Sequence, residues 1–323
     1  MIANSSSLER DTQMIGKTKT RLLAGLAVAA CSTAALAQPA PDIAAANRAI
    51  GKTTDVAGTA RIYGPLAEKP PYREATATRD LVYGPDERNR LDVFQPAPAP
   101  GGRLPVVIHL SGGDNLRRIQ VPGGEPFYDN VMLWAVKHGM IGVNTDRHLD
   151  RGAPWGAGAK DVGLMVKWVR ENIARYGGDP ERIFFVAHAY GGTDVAAYLA
   201  HKEFWSGPTP GVAGAAFIGA PFNIAPLAMP AAGRAANPMF DPAHSDLEGL
   251  KALDIPLFIS LGEYDPDSTR ASDEALRQAL CARRCPGFAV FKDHQHISTM
   301  FSFNTDDESV SGPVLDWIRS VPK

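Results

Sequence analysis

Cysteine is scarce in this chain, with three residues in 323, and no spacing of cysteine and histidine matches a structural zinc site. A dominant charge of one sign is also lacking. The formal net charge is -2, and no basic stripe offers a surface for nucleic acid. The apolar run near the N terminus, residues 22–30, is too short to span a bilayer. The sequence therefore predicts no nucleic-acid partner and no stable membrane span.

Apolar residues make up 45% of the chain, which is enough for one large domain with a full core. Short apolar runs alternate with segments in which apolar residues recur at helical spacing. This alternation predicts an α/β fold with a mostly parallel sheet and helices on both faces. The predicted strands are residues 91–94, 106–110, 140–145, 183–187, 212–218, 257–261 and 289–292, and the predicted helices are residues 129–138, 159–176, 192–201 and 314–321.

The N-terminal segment has the features of a signal peptide. Three basic residues precede the apolar run at 22–30, and a small-x-small cleavage pattern ends at Ala37. We therefore expect residues 1–37 to be removed after Ala37 and the protein to be exported, either to the periplasm or out of the cell. A lipoprotein signal ending at Cys31 is the alternative.

Two cysteines, Cys281 and Cys285, would remain in the exported protein. An oxidising compartment favours a disulfide between them, which would close a surface turn at a helix end. Two unpaired thiols on one helical face are the alternative.

The segment at residues 182–192 reads as an apolar strand, a turn of small residues and then a helix. This layout is typical of a nucleophile elbow, in which the central residue of G-x-S-x-G stands at the tip of the turn. Here residues 187–191 read AHAYG, so Ala189 occupies the position of the nucleophile. A methyl group cannot attack a carbonyl carbon.

Three further motifs accompany the elbow in a fixed order. Residues 104–113 form an apolar strand that ends in SGG, residues 261–266 read LGEYDP, and residues 293–298 read DHQHIS. With the elbow, they resemble the α/β-hydrolase superfamily over about residues 81–321. The resemblance is to its secreted carboxylesterase and lipase branch, which is related to hormone-sensitive lipase and to arylformamidase-type enzymes. The fold implied is therefore the α/β-hydrolase fold.

The resemblance also divides the chain into regions. Residues 38–78 are rich in alanine, proline and polar residues, and we expect an N-terminal arm that lies on the main domain, residues 79–323. Residues 221–252 interrupt the alternation of strands and helices. In the related family an insertion here commonly forms a small cap over the site, whereas a loose surface excursion is the alternative.

The same resemblance assigns the base and the acid. In serine hydrolases a hydroxyl attacks, an imidazole accepts its proton and a carboxylate orients the imidazole. The motifs imply that His296 is the base and Asp265 the orienting acid. His294 is the competing base, and Asp267 is the competing acid.

The oxyanion motif departs from the His-Gly-Gly-Gly of the family. The preferred alignment places Ser111 first, followed by Gly112 and Gly113, with Asp114 in place of the last glycine and Tyr190 beside the elbow. A carboxylate near the oxyanion would repel the charge that the site should stabilise. A shifted alignment would use His109 as the motif histidine, but two glycines would then be lost.

Other polar residues flank the expected mouth of the site. His148 follows a strand, while His188 and Asp194 lie on either side of the elbow. They are either hydrogen-bonded structural groups or the lining of a polar pocket. Their spacing does not require a metal, so the sequence predicts no metal and no cofactor. The expected partner is a small-molecule substrate or ligand, and the oligomeric state is left open.

Three hypotheses of function follow from the missing serine. In the first, the base formed by His296 and Asp265 performs chemistry that needs no nucleophilic hydroxyl. In the second, the protein binds a ligand without converting it. In the third, it is a carboxylesterase whose serine at position 189 was changed to alanine by engineering.

Overall fold

The computed structural model describes residues 39–99, 101–113, 116–121, 124–148, 153–227 and 238–322. The expected signal peptide (residues 1–37), both of its cleavage alternatives and Asp114 lie outside these residues. Ten strands are described: β1 (Ala75–Val82), β2 (Arg90–Pro96), β3 (Leu104–Leu110), β4 (Ile119–Val121), β5 (Gly124–Phe127), β6 (Ile141–Thr145), β7 (Gly178–His188), β8 (Gly214–Ile218), β9 (Leu257–Gly262) and β10 (Gly287–Phe291).

Eight of these strands form one sheet in the order β1-β2-β6-β3-β7-β8-β9-β10 within the described chain. The β1–β2 and β2–β6 pairs are antiparallel, whereas the pairs from β6 to β10 are parallel. The remaining two strands, β4 and β5, form a separate antiparallel hairpin. The predicted α/β-hydrolase fold with a mostly parallel sheet is confirmed.

Helices cover both faces of the sheet. The described helices are α1 (Pro41–Ile50), α2 (Val56–Tyr63), α3 (Asp129–Lys137), α4 (Ala157–Asn172), α5 (Tyr190–Ala200), α6 (Leu247–Ala252), α7 (Asp267–Leu280), α8 (Ser298–Phe301) and α9 (Ser311–Ser320). Alternate residues of β3 enter opposite cores: Ile108 packs with residues of α4 to α7, and Val107 packs with residues of α2, α3, α8 and α9. None of the described helices has the length and hydrophobicity needed to cross a bilayer.

One helix end differs from the sequence-based expectation for a physical reason. The helix expected to reach residue 176 ends at Asn172 and continues as a 3-10 turn, which Gly177 terminates with a φ of 83°.

At the end of α7, Cys281 and Cys285 form a disulfide, which is the first of the two alternatives that the sequence left open.

The N-terminal arm is more structured than its composition indicates. It contains α1 and α2, which are joined by a hydrogen bond from Asn47 to the Tyr63 hydroxyl (2.9 Å). β1 crosses the boundary that we expected at residue 78 and pairs with β2, so the end of the arm is part of the main sheet. The sequence did not reveal β1 because it is an edge strand without a clean alternation of buried and exposed residues.

The segment expected to form a cap is described on both sides of residues 228–237, which lie outside the described chain. Its C-terminal part has two short 3-10 helices before α6. The side-chain amide of Asn223, which is buried, donates to the carbonyl oxygens of Asp241 and His244, both at 2.9 Å. These hydrogen bonds hold the two described parts of the segment together.

The close approach of α5 to β3 gives a stability prediction. A Cβ added at Gly191 would lie 2.5 Å from the carbonyl oxygen of Leu110 and 2.7 Å from that of Ser111. Because both obstacles are backbone atoms, Gly191→Ala is expected to lower the free energy of unfolding by about 1–3 kcal/mol in urea denaturation. Gly207→Ala is the matched control, since no heavy atom lies within 4 Å of its added Cβ. Equal stability of the two variants would contradict the prediction.

Candidate active site

The turn between β7 and α5 holds Ala189 in a conformation that non-glycine residues rarely adopt. Its φ is 50° and its ψ is -126°. The turn is fixed by hydrogen bonds from the Ala189 N–H to the carbonyl of Ile218 (3.1 Å) and from the Gly192 N–H to the carbonyl of Ala189 (2.9 Å). Strained backbone of this kind costs about 1–3 kcal/mol and is found where it positions a functional group. Here it presents a methyl group.

The loop after β3 lies directly against this turn. A Cβ added at Gly112 would lie 2.4 Å from the Ala189 Cβ and 3.5 Å from the backbone nitrogen of Tyr190. Only glycine allows this approach. Gly112, Gly113 and the N terminus of α5 thus surround the elbow with backbone, as an oxyanion hole requires.

The structure favours the alignment in which Ser111 begins this loop. His109 lies within β3, fully buried, with its Nδ1 at 3.0 Å from the carbonyl oxygen of Val186. Burial lowers the pKa of His109 to about 4. The Ser111 hydroxyl donates to the carbonyl of Leu116 (2.7 Å) and so stabilises the loop itself.

The structure brings the assigned base and acid into direct contact. His296 Nδ1 lies 2.6 Å from Asp265 Oδ1, and the Gly262 N–H donates to Asp265 Oδ2 at 2.7 Å. Because a carboxylate only accepts hydrogen bonds, Nδ1 carries the proton and Nε2 of the neutral ring carries the lone pair. A Cβ added at Gly219 would come within 3.0 Å of His296 Nδ1, so the approach of β8 leaves room only for glycine.

The competing residues occupy other environments. His294 is fully buried and hydrogen-bonded to the hydroxyls of Ser298 (3.0 Å) and Ser309 (2.8 Å). Asp267 is exposed over 84% of its side chain and pairs with Lys52. Of the four candidates, only His296 and Asp265 are in contact with each other.

A cavity of about 690 Å³ opens beside the elbow, a size typical of small-molecule sites. Ala189, Tyr190 and His296 line it together with Gly112 and Gly113. Its other described lining residues are Thr54, Val56, Leu116, Arg118, Ile119, Tyr128, His188, Gly219, Pro221, Pro266, Thr269 and Ile297. Sequence reasoning missed the contributions of Thr54 and Val56, because nothing in the α1–α2 connection indicates that it reaches the site.

Comparisons with known proteins agree with this geometry. The profile of the Carboxylesterase family matches residues 90–205. Esterase LipQ of Mycobacterium tuberculosis is 32% identical over 232 residues, which are 65% of this chain and 54% of LipQ. Para-nitrobenzyl esterase of Bacillus subtilis is 30% identical over 155 residues, 44% of this chain and 30% of that protein. The chain therefore spans about half or less of the length of these relatives.

Solved structures share the fold at lower identity. Esterase B from Lactobacillus rhamnosis has a TM-score of 0.62 at 16% identity, covering 82% of this chain and 90% of that one. A serine-to-alanine mutant of esterase Est22 has a TM-score of 0.60 at 18% identity, with 86% and 92% covered. The chain thus has the α/β-hydrolase fold, and part of its sequence is similar to carboxylesterases.

Of the polar residues around the mouth, Asp194 has a structural role, whereas His188 lines the cavity. Arg147, which is fully buried, donates to Asp194 (2.5 Å) and to the carbonyl of Ser111 (2.7 Å). Burial raises the pKa of Asp194, and the adjacent Arg147 acts in the opposite direction. The His148 N–H donates to Asp161 (2.6 Å). Asp194 therefore anchors the loop after β3 through Arg147, as the first of our two interpretations had it.

A second ion-pair network holds the cavity wall formed by Leu116 and Arg118. Arg117 contacts the carboxylates of Asp80, Asp92 and Asp146. The Asp146 carboxylate also accepts from the backbone N–H of Arg117 (2.5 Å). Since the side chains of Arg117, Asp92 and Asp146 are at most 11% exposed, these three charges compensate one another largely away from water, whereas Asp80 is exposed.

Removing this cation should destabilise the protein. Arg117→Met is expected to lower the free energy of unfolding by about 3–5 kcal/mol, because it leaves the Asp146 carboxylate without its cation. Arg118→Met is the matched control. Its side chain is 32% exposed, and its contacts with Asp80 and Asp92 should contribute about 1 kcal/mol or less. Chemical denaturation of both variants tests the difference, and an equal loss in the two would refute the assignment.

Proposed function

We propose that this chain is an exported α/β-hydrolase in which His296, oriented by Asp265, acts as a general base on a small-molecule substrate without a covalent serine intermediate. The observation that carries the proposal is the 2.6 Å contact between His296 Nδ1 and Asp265 Oδ1 beside a cavity that Ala189 also lines. The contact leaves Nε2 with a lone pair, and a base needs nothing more than this to accept a proton.

The best-supported reaction is addition of water to an ester or related acyl group. Nε2 of His296 accepts a proton from water while the water oxygen bonds to the carbonyl carbon. The charge that develops on the carbonyl oxygen faces the backbone around Gly112, Gly113 and Tyr190. The proton then passes from His296 to the leaving oxygen as its bond to carbon breaks. The small side chain of Ala189 leaves space beside the elbow for this water.

The resemblance to esterases supports the acyl substrate class. LipQ and para-nitrobenzyl esterase are named as esterases, and the profile match covers the strand, loop and elbow that surround the cavity. Export rests on the basic and apolar pattern of residues 17–37.

A ligand-binding protein without turnover is the second candidate. It is favoured by the methyl group of Ala189 in a cavity large enough for a small molecule.

A carboxylesterase with an engineered change at position 189 is the third candidate. The strained backbone at Ala189, which would position a side chain with a function, favours it.

The base is tested by removing it. His296→Ala is expected to reduce hydrolysis of a short p-nitrophenyl ester by about 10²–10⁴-fold, because proton transfer to a positioned base is lost. His138→Ala, which changes a histidine of the α3 end outside the cavity, is the control and should keep the wild-type rate. If the wild type and His296→Ala share the uncatalysed rate while the wild type is stabilised by ester or acid ligands, the binding-protein candidate is correct instead.

The elbow is tested by restoring the hydroxyl. Ala189→Ser is expected to release a burst of about one p-nitrophenolate per protein molecule, because the turn already holds the φ and ψ that expose this side chain. The burst should vanish in the Ala189→Ser/His296→Ala double variant. Because fast deacylation would hide a burst, the steady-state rate of hydrolysis is measured as well. A folded Ala189→Ser protein with neither a burst nor faster turnover than the wild type would count against the engineered-esterase candidate and against backbone stabilisation of an oxyanion at Gly112 and Gly113.

A further inference from the structure

A second histidine lies beside the base. His188, the last residue of β7, is 2% exposed, and its ring centroid lies 4.5 Å from that of His296 with an angle of 36° between the rings. Its Nε2 lies 3.0 Å from the carbonyl oxygen of His296. None of the three candidate functions makes use of this residue.

The contact fixes the tautomer of His188. A carbonyl oxygen only accepts hydrogen bonds, so Nε2 must carry the proton and donate it. Nδ1 is then unprotonated, and it is buried without a hydrogen-bond partner among the described residues. A buried polar atom left without a partner reduces stability, so its presence calls for a compensating role. We look for the compensating role of His188 in its imidazole ring or in the hydrogen bond that its Nε2 donates.

The hydrogen bond from His188 to the His296 carbonyl joins the elbow to the loop that carries the base, and these two parts of the site must keep a fixed separation. His188 precedes Ala189 at the elbow, whereas His296 belongs to the loop after β10, 108 positions further along the chain. The other described donor to the His296 carbonyl is the Thr299 hydroxyl (2.6 Å), which lies in α8 directly after this loop and cannot connect it to the elbow. Among the described hydrogen bonds, the one from His188 directly links the elbow to the main chain of the base.

We infer that His188 is a positioning residue that holds the main chain of His296 against the elbow so that the His296 ring meets Asp265. The inference rests on the proposed role of His296 as the base. The residue also suits a site in which His296 becomes positively charged. Burial, together with the neighbouring charges of His296 and His109, lowers the pKa of His188 well below its ordinary value. His188 therefore stays neutral and does not repel the imidazolium.

Proton NMR tests the inference without requiring turnover. The proton shared by His296 Nδ1 and Asp265 should give a downfield imidazole resonance, which is assigned by its loss in His296→Ala. His188→Gln places an amide donor near the position of Nε2 and is expected to keep the resonance. The asparagine of His188→Asn is one methylene shorter than glutamine, so its amide cannot reach the His296 carbonyl. It is expected to lose the resonance or to show about tenfold faster exchange with water.

A folded His188→Asn protein with the wild-type resonance and exchange rate would overturn the inference, and so would loss of the resonance in folded His188→Gln. If the Asn variant does not fold, ¹⁵N NMR of the wild-type histidines decides. The neutral Nε2–H tautomer of His188 is required at pH 7, and an Nδ1–H tautomer or a charged ring contradicts it. Because these readouts are structural, they can succeed even where the proposed hydrolysis fails, and the two failures are therefore distinguishable.

Discussion

Between β7 and α5 the backbone reverses its direction through a single residue, Ala189, and the positions of the other site residues depend on this turn. The reversal brings the N terminus of α5 against the end of β3, where glycine at 112 and 191 leaves room for the contact. It also places His188 next to the loop that carries His296. A change in the turn would therefore displace both the loop of Gly112 and the loop of His296.

Two ion-pair networks hold the loop after β3 from different directions. Arg147 ties the Ser111 carbonyl to Asp194 of α5, and Arg117 ties the following residues to carboxylates near β1, β2 and β6. Buried charges add little net stability compared with apolar packing, but each pair accepts only one arrangement of its partners. The networks thus account for a fixed position of a loop that has no regular secondary structure between Ser111 and Arg118 where it is described.

The sequence predicted the fold because its apolar periodicities are strong in the parallel strands and their helices, which are buried on one or both faces. The pairing of Asp265 with His296 was implied by the resemblance to a family, and the two side chains are in contact. It did not predict that Thr54 and Val56 line the cavity, that Asp194 pairs with Arg147, or that His188 binds the His296 carbonyl. These contacts join residues distant in the chain, and no local pattern encodes them.

The strain at Ala189 bears on how the missing hydroxyl should be understood. A φ of 50° is unfavourable for alanine, and glycine would relieve the strain at a position where no side-chain function is needed. The hydrogen bonds to Ile218 and Gly192 nevertheless maintain the turn. Since Asp265, His296 and His188 are held in register with the turn, the geometry serves the base and the surrounding backbone as well as the residue at its tip. An alanine at the tip of the turn offers no hydroxyl, while the contact between His296 and Asp265 remains in place.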